Sequence, residues 1–81
     1  MTTNDLIIAN TETIKVIDNI QTGEKARMLR IKNKISLRTM ATKMGISAMY
    51  LSDLERGNRN WSYTIAGIFV RVLTGDLIDK T

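Results

Sequence analysis

Twice within residues 36–57 the chain repeats one punctuation: a serine, an apolar run at helical spacing, then a glycine. Ser36 is a good helix N-cap, because a serine hydroxyl accepts a backbone N–H of the first turn. Ile35 before it and Met40 after it occupy the two positions of a hydrophobic staple. Leu37, Met40, Ala41 and Met44 then make one apolar stripe, and Gly45 supplies the left-handed residue that closes a helix. Ser47 opens the next helix with Ile46 and Leu51 as its staple; Leu51 and Leu54 continue the stripe, and Gly57 stops it after Arg56. Only Gly45-Ile46-Ser47 lies between the two. Two short helices joined by a tight, glycine-containing turn are the outline of a helix-turn-helix.

The flanks read as helix too. Glu24 to Asn33 holds strong helix formers and no breaker. After the polar loop Asn58-Arg59-Asn60, a further helix is expected from about Ser62 to Leu73, broken by Thr74-Gly75, and Asp76-Leu77-Ile78 could add one more turn. The first twenty residues are ambiguous. Their β-branched content favours strand, yet Ile14, Ile17 and Ile20 fall at helical spacing after a possible Thr11 cap, which predicts a short helix from about 11 to 20. The expected architecture is all-α, a compact four- to five-helix domain over residues 22–81 with an N-terminal extension over 1–21.

Composition then narrows function. Eighty-one residues leave room for one small domain. Cysteine and histidine are both absent, which excludes a disulfide scaffold, a thiolate nucleophile or metal site, and the commonest general base. Asp53 and Glu55 are not an acid–base pair, since residues two apart on a helix point to different faces. An enzyme is therefore not expected, nor a metal or cofactor, and no small-molecule ligand is evident. No apolar run approaches a membrane span, and the polar, acidic opening Met1-Thr2-Thr3-Asn4-Asp5 is unlike a secretory signal, so a cytoplasmic location is expected. The net charge of +4 is unevenly spread. Between Lys25 and Arg59 nine cations face only Asp53 and Glu55, giving +7, while the remainder carries −3. A cationic surface centred on the helix-turn-helix points to a polyanionic partner.

Met40-Ala41, Gly45-Ile46-Ser47, Tyr50-Leu51-Ser52 and Leu54-Glu55-Arg56-Gly57, in this order and spacing, resemble the lambda-repressor-like, or Xre/Cro, helix-turn-helix DNA-binding family. The resemblance runs from about Gly23 to Leu73. It implies that the helix from Ser47 to Arg56 enters the major groove of double-stranded DNA. By position, Ser47, Ala48, Met49, Ser52 and Asp53 would meet base edges. Arg38 and Lys43 on the preceding helix, Asn58 and Arg59 in the following loop, and Tyr50 would meet phosphates. Arg30 and Glu55 match an arginine and a glutamate that form a largely buried ion pair in the family. The base-facing set lacks the Gln, Asn or Arg that reads adenine or guanine with two hydrogen bonds, so a modest code of methyl contacts and DNA shape is expected. Where the family often has glutamine this chain has Leu37, and where it often has proline the chain has Trp61.

The last helix is apolar nearly all round. Ala66, Phe69, Val70 and Leu73 serve the core, which leaves Ile65, Ile68 and Val72 to be covered by something else. Two covers are available: the N-terminal extension, and a second copy in a two-fold homodimer that binds two half-sites of a palindromic operator. The leading expectation is a sequence-specific transcriptional regulator, a repressor, of a size that suits Cro-type phage repressors, restriction–modification controllers, antitoxins and plasmid regulators. The alternative is a helical protein-interaction module, such as an antitoxin or regulatory partner, with incidental DNA binding.

Overall fold

Asp18, rather than a residue near Glu24, begins the longest helix. Its carboxylate accepts the backbone N–H of Gln21 at 3.0 Å, so the helix starts five residues earlier than its strong formers alone indicate. The computed structural model describes residues 1–10 and 16–75. Over these the chain is all-helical apart from one two-residue ladder. In order come α1 (Thr3–Leu6), β1 (Ala9–Asn10), β2 (Val16–Ile17), α2 (Asn19–Lys32), α3 (Leu37–Met44), α4 (Ala48–Glu55) and α5 (Tyr63–Thr74).

The caps behave as their residue types dictate. Ser36 accepts from Thr39 N at 3.0 Å, Ser47 from Tyr50 N at 3.0 Å, and Ser62 from Ile65 N at 3.1 Å. Gly45 takes φ +79°, and the Ile46 N–H reaches back to the Ala41 carbonyl at 3.0 Å, closing α3 with a Schellman turn. Gly57, also at φ +79°, ends α4 the same way through Asn58 N to Asp53 O at 2.9 Å.

The N-terminal region departs from the expected helix over 11–20. Val16 and Ile17 pair antiparallel with Asn10 and Ala9, and Asn19 and Ile20 belong to α2. The reason is that Asp18 gives its N–H to the Ile8 carbonyl at 2.7 Å, so the β-branched pair before it is drawn into a ladder and not into a helical turn. Residues 11–15 and the possible extra turn at Asp76-Leu77-Ile78 lie outside the described residues.

One core joins all five helices. Leu6 from α1, Ala26 from α2, Met40 and Ala41 from α3, Leu51 and Leu54 from α4, and Ala66 and Phe69 from α5 are essentially inaccessible. Trp61 is buried beneath the loop before α5, with its ring edge-on to Phe69 at 6.0 Å and its indole N–H donated to the Leu54 carbonyl at 2.9 Å. Thr22, fully buried, ties the extension down: its hydroxyl accepts the Ile8 N–H at 3.0 Å and donates to the Ile8 carbonyl at 3.3 Å.

Candidate nucleic-acid interface

α4 is oriented by what it buries. Leu51, Leu54 and Glu55 face inward, and α4 packs on α2 and α3. Three- and four-residue steps then put Met49, Ser52, Asp53 and Arg56 on the opposite face, directed away from the core. Met49, at 73% exposed, has no core to fill. Ser47 is exposed at the N-terminus of the helix, Ala48 and Tyr50 are half-buried against the core, and Ser52 is half-buried. The first turns of α3 and α4 present backbone N–H groups and the positive ends of helix dipoles, which suit phosphate.

Cations stand on α3 and in the loop after α4. Arg38 stands in the first turn of α3 and Lys43 in its last, both exposed, and Asn58 and Arg59 are exposed in the loop after α4. The Arg59 guanidinium lies over the Tyr50 ring, 5.2 Å from its centre, so these two form one unit. Asp53 belongs to the same cluster. It accepts a hydrogen bond from Arg56 at 3.0 Å and pairs with Arg59 at 3.8 Å. Arg56 is the residue that sequence reasoning did not place on the face. An acid and an arginine three apart on a helix are neighbours, and that spacing was the available signal.

Behind the face the supports are polar, and one of them is buried. Arg30 grips Glu55 with two hydrogen bonds, Nε to Oε2 at 2.7 Å and Nη2 to Oε1 at 3.0 Å, and uses Nη1 to hold the Ile35 carbonyl at 2.9 Å. One guanidinium thus fixes the end of α4 and the entry to α3. Asn19 accepts the Trp61 N–H at 2.7 Å and donates to Asn60 Oδ1 at 3.0 Å, which pins the loop carrying Arg59. Asn19 gave no sequence signal, because its partners are 41 and 42 residues away.

On α5, Ile65 and Ile68 are half-buried and Tyr63 is exposed. Val72, expected at a two-fold interface, is buried in the chain's own core. α1 packs against α5 along another side, where Thr3 borders Gly67 and Ile68, and so takes up part of the apolar surplus. Among the described residues no helix is long and apolar enough to cross a membrane.

Two short capped helices at a tight turn, the second held with Met49, Asp53 and Arg56 outward and Arg59 beside them, define a helix-turn-helix unit. The comparison of sequences gives the family: a helix-turn-helix model of the Xre/Cro type matches residues 27–77, and the chain belongs to that DNA-binding family. Among curated proteins and solved structures, none matches the chain significantly.

Proposed function

We propose that the protein is a sequence-specific transcriptional repressor that binds a palindromic operator as a homodimer, with residues 47–56 in the major groove of each half-site. In this reading residues 22–81 are the DNA-binding domain and 1–21 an extension that serves it. Ser47, Ala48, Met49, Ser52 and Asp53 meet base edges. Arg38, Lys43, Tyr50, Asn58 and Arg59 meet phosphates, and Arg30 with Glu55 holds the recognition helix at its working angle. The observation that carries the proposal is the outward face of α4: a bare Met49 beside hydrogen-bonding side chains, with Arg56 and Arg59 among them, offered to solvent. A thioether and a methyl group complement the C5-methyl of thymine, and Ser52 can donate to or accept from any base.

Unbiased selection of double-stranded sites by the full chain tests this. A two-fold symmetric sequence with half-sites about one helical turn apart is expected. Affinity for it should fall steeply with salt as phosphate-bound counterions are released. A flat salt response, or no enriched sequence, refutes the proposal.

A further inference from the structure

Asp53 sits on the outward face of α4, yet its side chain is only 22% exposed, because Arg56 and Arg59 fold over it while staying 63% and 58% exposed themselves. An acid on a surface meant for a polyanion repels it, so its presence needs a reason. On the reading of α4 as the major-groove helix, on which this inference rests, we propose that Asp53 is a positioning residue that couples phosphate binding to base identity. It holds Arg56 and Arg59 on the protein until the base directly opposite its carboxylate presents an amino group.

The chemistry follows from the hydrogen-bond inventory. Ionised Asp53 only accepts. In the major groove the donors are the amino groups of cytosine and adenine, whereas guanine and thymine present acceptors. Opposite a donor, the base replaces the arginines as partner of Asp53, and both guanidiniums turn to the phosphates flanking the groove. Opposite an acceptor, Asp53 keeps its arginines, the carboxylate would otherwise face lone pairs, and two phosphate contacts are withheld. The exchange is feasible because exposed ion pairs of this kind are weak. Tyr50, under the Arg59 guanidinium, limits how far that side chain strays in either state. The wrong sequence is thus penalised twice, at the base and at the backbone.

The test compares salt slopes on two duplexes, the site enriched from random DNA and a scrambled duplex of equal length. For the wild-type chain the slope on the enriched site is expected to be steeper by about 0.9 for each arginine released. Asp53→Ala should steepen the slope on scrambled DNA toward that on the enriched site and lower the specificity ratio roughly tenfold. Glu24→Ala, which removes the same charge from an exposed position on α2, should not. Arg56→Gln with Arg59→Gln should weaken the enriched site and leave the slope on scrambled DNA unchanged. The coupling is overturned if Asp53→Ala behaves like Glu24→Ala, or if the double arginine variant weakens both duplexes equally. Failure of the wild-type chain to bind either duplex would overturn the DNA-binding reading itself.

Discussion

Arg30 and Glu55 meet in a two-pronged ion pair whose side chains are 10% and 4% exposed, tying the last turns of α2 and α4 together. Removing one partner leaves a buried charge without its counterion, which costs about 3–5 kcal/mol. Arg30→Met and Glu55→Leu should each lower the urea midpoint by a corresponding amount. The double variant should recover most of the loss, since an apolar pair of similar volume replaces a buried ion pair at little net cost. Losses that simply add would show that the two side chains act independently.

Gly23 lets α2 lie against the backbone of α4. A Cβ there would collide with the Leu54 carbonyl oxygen and stand 2.8 Å from that of Glu55, both backbone atoms at the end of α4. Alanine is favoured over glycine inside a helix by about 1 kcal/mol, but overpacking typically costs 1–3 kcal/mol, at its upper end or beyond against unyielding backbone. The clash wins. Gly23→Ala is expected to destabilise the fold by about 2 kcal/mol in urea titration and to weaken operator binding by tilting α4. An unchanged or higher melting temperature would contradict this packing.

The N-terminal extension is part of the core, not an appendage. Leu6 is fully buried, and Thr22 satisfies both backbone groups of Ile8. Leu6→Ala should cost about 2–5 kcal/mol from lost transfer energy and the cavity left behind. Thr22→Val, which keeps the shape but strands the Ile8 N–H, should cost about 1–3 kcal/mol. Chemical denaturation reads both. Limited proteolysis of Thr22→Val should cut first between residues 1 and 18, and unchanged protection there would show that the hydroxyl is dispensable.

The proposed dimerisation, placed on α5, must use what α1 leaves open. Ile68 is half-buried and borders a shallow depression with Thr3, Tyr63, Thr64, Gly67 and Arg71. Ile68→Lys is expected to give a folded monomer in sedimentation velocity that binds an operator far more weakly than the parent chain. Val72→Lys is no substitute, because burying a lysine in the core would unfold the protein before testing the interface. A dimer that survives Ile68→Lys would place the interface elsewhere.

What the sequence by itself determined were the helices and their limits from Ser36 onward. Ser36, Ser47 and Ser62 bond a backbone N–H three residues on, and Gly45 and Gly57 close their helices with a positive φ. Such signals are legible because both partners lie within one turn of chain. The outward face of α4 was readable for the same reason, as the complement of a stripe set by Leu51 and Leu54. The tertiary structure alone decided the rest. It showed that the extension pairs Ala9 with Ile17 and drives Leu6 into the core, that α1 accounts for part of the surplus on α5, and that Val72 turns inward. It also gathered Asp53, Arg56, Arg59 and Tyr50 into one cluster. These outcomes depend on which distant surfaces meet, as Asn19 meets Trp61 across 42 residues, and local propensity carries no record of that choice.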